Sequence, residues 1–186
     1  VSEGESASRK GRLLVASPTL LDPNFRRSVV LLLEHDPEGA LGVILNRPTP
    51  MLARDALPEG LAGVLGDDEL VHEGGPVQPE ALILLADFAD PDGEELAVGS
   101  VGIVGPGVDA EELSDRVRAV RAFGGYAGWG AGQLEAEIEE EAWLDADCLP
   151  GDVFTPDPDG LWSQVLERKG GPYRLLARMP EDPSLN

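Results

Sequence analysis

Short aliphatic runs bounded by turn residues recur along the first half of the chain, at residues 13–16, 29–33 and 41–45. Runs of this length and composition predict strands with a substantially buried face. The last two bracket His35-Asp36-Pro37-Glu38-Gly39, which fits a hairpin loop: proline presets φ for a type I turn and glycine supplies the left-handed position after it. Residues 81–86 and 101–104 predict further buried strands. A helical period follows over 108–123, where Leu113, Val117 and Val120 form an apolar stripe and Asp109 with Glu112 makes an N-terminal capping pair. Its charges follow the macrodipole, with acids at the start and Arg118 and Arg121 near the end. A shorter helix is predicted over 130–141 with Ala131, Leu134 and Ile138 inward, a third over 161–168, and a last strand over 173–177.

Both ends are polar or proline-containing. They predict a flexible N-terminal tail over 1–10, one folded domain over 11–179 and a C-terminal tail over 180–186. The Pro/Gly-rich stretches inside that body are short, which argues against an interdomain linker. A chain of 186 residues can bury roughly two thirds of its unfolded surface in one core. Asp-Pro-[Asp/Glu]-Gly occurs at 36–39, 90–93 and 157–160. Calcium loops ending their acidic half at Gly93 or Gly160 would need ligands at Phe88 and Gly99, or at Thr155 and Leu166, which cannot supply carboxylates. These tetrapeptides are read as turns.

No apolar run approaches the roughly 18 residues of a membrane span, and nothing marks an oxidising compartment, so a cytoplasmic protein is expected. The single cysteine, Cys148, is read as packing. The formal charge of −21 repels phosphate backbones, so direct DNA binding is disfavoured. It would need Arg26, Arg27, Arg116, Arg118 and Arg121 to form one basic face.

Candidate chemistry is sparse. Gly105-Pro106-Gly107 lies between a predicted strand and helix, but it matches neither phosphate-loop pattern and has carboxylates beside it, so it is read as a tight connection. His35 and His72 lack metal-ligand spacing; no metal and no cofactor are assigned. His35 is expected to bond backbone beside its turn, and His72 to be partly exposed. No nucleophile elbow is present. Glu135, Glu139 and Glu140 fall away from the apolar stripe and are read as solvated. Glu137 and Glu141 flank it and are expected to pair with an arginine such as Arg26 or Arg47.

Four segments carry a resemblance: residues 16–48 (ASPTLLDPNFRRSVVLLLEHDPEGALGVILNRP), 72–77 (HEGGPV), 124–144 (GGYAGWGAGQLEAEIEEEAWL) and 152–162 (DVFTPDPDGLW). Together they resemble the YqgE/AlgH family over nearly the whole chain. The resemblance implies one compact α/β (α+β) domain: a mixed, strongly bent sheet with part-barrel character, surrounded by helices. It implies no mechanism; the family's name derives from a proposed role in transcriptional regulation. The segment 78–85 lacks a histidine often found there in the family.

The motifs meet at turns and strand ends. Arg26, Asn46, Arg47, Gly74, Gly75, Tyr126, Trp129, Gln133 and Glu137 are the candidates for a polar pocket, and no catalytic residue is assigned. Asn, Arg and Gln side chains are costly to bury unpaired, whereas the glycines permit close backbone approach. Tyr126 and Trp129 fall on opposite faces if this stretch is a strand. The expected function is therefore non-enzymatic binding or regulation, with a small molecule or a protein as partner. The alternative is an enzyme on a small polar substrate using Glu137 and His35 near Arg47.

Overall fold

The computed structural model describes residues 7–181. In chain order the elements are β1 (Leu13–Ala16), β2 (Val29–Asp36), β3 (Gly39–Ile44), β4 (Pro48–Leu52), α1 (Ala53–Ala56), α2 (Glu59–Ala62), β5 (Leu70–Glu73), β6 (Val77–Phe88), β7 (Leu96–Val98) and β8 (Val101–Ile103). They continue with α3 (Ala110–Arg116), β9 (Val117–Gly130), α4 (Gln133–Glu139), β10 (Trp143–Ala146), α5 (Pro150–Val153), α6 (Pro158–Lys169) and α7 (Tyr173–Leu176). One ten-stranded sheet runs β10-β1-β2-β3-β9-β6-β8-β7, with β4 and β5 off this path. Pairing is antiparallel except between β5 and β9, and the sheet is open, not closed into a barrel. Among the described residues no helix is long and apolar enough to cross a membrane.

β1 and β2 are buried on both faces, which is why they read as continuous aliphatic runs. Leu13, Val15, Leu31 and Leu33 enter one core closed by Trp162, Val165 and Leu166 of α6. Leu14, Ala16, Val30 and Leu32 enter a second, closed by Leu134 of α4 with Trp129 and Trp143. A third core lies around Leu113 of α3, Phe88 and Ala122. The β2–β3 hairpin is tighter than expected: Asp36 pairs with Gly39, leaving only Pro37 and Glu38 in the loop.

The helix expected over 108–123 stops at Arg116. It begins at Ala110 with Asp109 as its N-cap, accepting from the backbone N–H groups of Glu111 and Glu112, while the Glu112 side chain accepts from Arg116 instead of completing the capping pair. Val117 onward instead forms the long central strand, pairing with β6 on one side and with β3 and β5 on the other. Val117 and Val120 fit a strand as well as a helix, and the partners on both sides decide between them.

Gly124 and Gly125 change the phase of this strand. Before them Val120 and Ala122 enter the third core, and after them Ala127 and Trp129 enter the second, so even positions give way to odd. Gly125 has φ of +72°, and a Cβ there would stand 2.5 Å from the Gly75 carbonyl oxygen. Only glycine allows that bulge.

The segment 173–177, expected as a strand, is helix α7, packed against α6. The Asp-Pro-Asp-Gly at 157–160, read as a turn, begins α6: Asp157 accepts from Gly160 N–H at 3.1 Å and Pro158 takes the first helical position. That at 90–93 is a turn, with Asp90 accepting from Asp92 N–H. Of the expected tails, residues 1–6 and 182–186 lie outside the described residues, while Ser8 Oγ donates to the His35 carbonyl.

Candidate functional site

The loop between β1 and β2 is folded onto itself by local bonds: Phe25 and Arg26 N–H donate to the Asp22 carbonyl, and Ser28 Oγ donates to the Phe25 carbonyl. Arg27 is held at φ of +54°, in the left-handed region. Asn46 and Arg47, just past the end of β3, staple this loop. Asn46 accepts from Val29 N–H at 2.9 Å and donates to the Arg27 carbonyl at 2.8 Å, while Arg47 donates to the carbonyls of Asn24 and Arg26. Arg26 and Arg27 in turn donate to the carbonyls of Glu181 and Met179, and the Arg27 guanidinium lies 4.0 Å above the ring of buried Trp162. Between Arg26, Arg27, Asn46 and Arg47 on one side and Asp159, Trp162 and Glu181 on the other is a cleft of about 140 Å³.

A second cluster forms around α4. Glu137 Oε2 accepts from the indole N–H groups of Trp129 at 2.8 Å and Trp143 at 2.9 Å, and Oε1 accepts from Gln133 at 3.1 Å. Glu137 therefore pairs with neither Arg26 nor Arg47, and Glu141 has no ion pair with them either. Buried indoles need an acceptor, and this carboxylate is the one their positions reach. Phe25 joins the two clusters, its ring stacked near Trp129 and edge-on to Trp143 at 5.6 Å.

The remaining candidates separate from both groups. Tyr126 packs on the opposite face of β9 from Trp129, in the core closed by α6. Gly74 bonds Ile44 and Gly124 through its backbone, and a Cβ on Gly75 would fall 2.2 Å from the Tyr126 carbonyl carbon. These glycines bring the chain close to β9. Sequence reasoning left Arg27, Asp159, Trp162 and Glu181 out of the pocket; only the fold brings them to it.

The side chains of both histidines are buried. His35 Nδ1 accepts from Arg9 N–H at 2.8 Å, so Nε2 carries the proton it shares with Glu135 at 2.6 Å. Glu135 is thus a hydrogen-bond acceptor for His35, not a freely solvated charge, and the hydrogen bond from His35 holds its carboxyl below the ordinary range. Neither His35 nor Glu137 has a bond to Arg47. The Cys148 thiol is pushed up to about 12 by burial, with Asp152 adding to the effect, so it is not a thiolate nucleophile near neutrality.

His72 is 3% exposed, contrary to the expectation of partial exposure, because β5 is covered by β4 and β9. Its Nδ1 lies 3.2 Å from the Leu70 carbonyl and Nε2 has no partner in the protein. Burial, and then the Arg121 charge, lower its pKa below the ordinary 6.5. The folded state holds the imidazole neutral, so stability is complete above the unfolded value and falls as pH drops below it toward the folded value. Urea unfolding at about pH 7.5 and about pH 5.5 should show this loss, at most about 1.4 kcal/mol per pH unit, and a smaller one in His72→Leu. An equal loss in both proteins would remove His72 as its source.

Comparison with known proteins agrees with this architecture. A family model described as AlgH-like matches residues 13–174. A UPF0301 protein of Streptomyces avermitilis is 47% identical, the match covering 98% of this chain and 97% of the relative. A UPF0301 protein of Chlorobium luteolum is 44% identical over 95% and 94% of the two chains. The crystal structure of DIP2367 from Corynebacterium diphtheriae superposes with a TM-score of 0.84 at 30% identity, covering 95% of this chain and 94% of that one. The solution structure of AlgH from Pseudomonas aeruginosa gives 0.68 at 29% identity over 97% and 98%. With the four motif segments, the shared fold and a match running from β1 into α7, the chain belongs to the AlgH-like family.

Proposed function

We propose that the protein is a non-enzymatic binding protein with a regulatory role, acting in the cytoplasm and recognising a small ligand or a protein partner at the Arg26, Asn46 and Arg47 cleft. The observation that carries this reading is the state of the arginines. Arg26, Arg27 and Arg47 converge on one cleft, and their hydrogen bonds go to backbone carbonyls, not to carboxylates. Several arginines elsewhere are neutralised: Arg116 by Glu94 and Glu112, Arg118 by Asp87, Arg121 by Glu69, and Arg168 by Asp152. The same pairing argues that any effect on transcription is indirect, since Arg116, Arg118 and Arg121 of the expected basic face are spent on carboxylates.

An enzyme using His35 and Glu137 is the weaker reading, because each is engaged with other partners. Native mass spectrometry of the protein gently purified from its own host tests the proposal. A retained small molecule or protein that is lost from folded Arg47→Ala is the expected result. An adduct kept unchanged by folded Arg47→Ala and Asn46→Ala would place recognition elsewhere.

A further inference from the structure

The cleft's chemistry narrows its ligand. A guanidinium carries five N–H donors, and the described bonds of Arg26 and Arg27 use one each, those of Arg47 two. Three positive groups with spare donors therefore face one cleft in a chain whose formal charge is −21. They are also positioned in advance. Arg27 is fixed over Trp162, Arg47 is clamped by two carbonyls, and Asn46 locks the backbone between them. Less side-chain freedom is then lost when an anion binds.

We propose that this cleft is an oxyanion site for the phosphate group of a small ligand, with Arg26, Arg27 and Arg47 as its donors; this rests on the binding reading above. A phosphate presents three peripheral acceptor oxygens, matching three guanidinium groups better than the two oxygens of a carboxylate. About 140 Å³ is below the usual range for a whole drug-sized ligand, so the cleft takes the charged end only. Beside it, sharing Arg26 and Arg27, a smaller hollow is lined by Leu20, Leu21 and Met179, and both Leu21 and Met179 are exposed. That shoulder suits a compact apolar substituent on the phosphate. Glu181 and Asp159 oppose the anion from the other wall, and the Glu181 carboxylate competes with it for the arginines.

Titrations of the full chain with inorganic phosphate and with phenyl phosphate, at constant ionic strength set by chloride, test the site. Intrinsic tryptophan fluorescence, to which Trp162 in the cleft wall contributes, and backbone amide shifts around Val29 and Arg47 are the readouts. Saturable binding is expected, weakened about tenfold or more in Arg47→Met and Arg26→Met, and strengthened severalfold in Glu181→Gln. The opposite signs separate a site from loss of folding. Tighter binding of phenyl phosphate identifies a phosphate ester as the ligand type, and equal binding identifies free phosphate. Absence of saturable binding in folded protein, or binding indifferent to all three substitutions, would overturn the oxyanion site. The host-derived adduct measurement judges the wider recognition surface separately.

Discussion

Glu137→Ala should destabilise the protein by about 2–5 kcal/mol, because it strips the acceptor from two indole N–H groups at once. Trp129 is 7% exposed and Trp143 is 2% exposed, so water cannot replace the carboxylate without opening the second core. Glu137→Gln keeps one oxygen where the indoles meet and should lose less, about 1–2 kcal/mol. Urea unfolding followed by tryptophan fluorescence measures both, and a shifted emission of the folded Glu137→Ala protein should accompany the loss. An alanine variant within about 0.5 kcal/mol of the parent would mean that the indoles find other acceptors. Such a result would also free Glu137 for a role in binding. As the structure stands, the carboxylate serves the fold.

Arg121→Leu is the other substitution expected to act strongly, at about 3–5 kcal/mol. The side chain is 10% exposed, donates to Glu69 at 2.7 Å, and also donates to the Thr155 carbonyl at 2.9 Å and the Val153 carbonyl at 3.4 Å. Leucine leaves a carboxylate and two carbonyls without their cation, on the face of β9 that meets the chain after α5. Glu69 is 24% exposed and keeps some solvation, so the carbonyls should carry much of the cost. A double-mutant cycle with Glu69→Gln isolates the ion pair from the carbonyl bonds. Additive losses would show that the two side chains do not couple, and a loss below about 1 kcal/mol for Arg121→Leu would show that its surroundings relax around the vacancy.

Arg121 also shows how a local pattern misleads. Its position near the end of an amphipathic stripe reads as a cation at a helix C-terminus. In the fold it is a buried residue on a central strand, since Val117 through Gly130 fill the gap between β6, β5 and β3. The reverse happened over 173–177, where aliphatic content reads as strand but no strand partner exists and the segment closes as a helix against α6.

The sequence by itself determined the family, the single α/β domain, the strand runs of β1, β2 and β3 and the N-cap of α3. These depend on neighbouring residues: apolar runs, caps and turns, whose physics is local. It also pointed to Arg26, Asn46 and Arg47, which lie together in the cleft. Only the tertiary structure decided which charges meet. Glu137 turned from an arginine partner into the acceptor of two indoles, Glu135 found His35, and Arg26, Arg27 and Arg47 came together with their hydrogen bonds on backbone carbonyls. His35 and Glu135 stand 100 residues apart, and Glu137 reaches indoles on two other elements, so no helical or strand period gives these pairings; they are set by the register of β9 and the packing of the helices on both faces of the sheet.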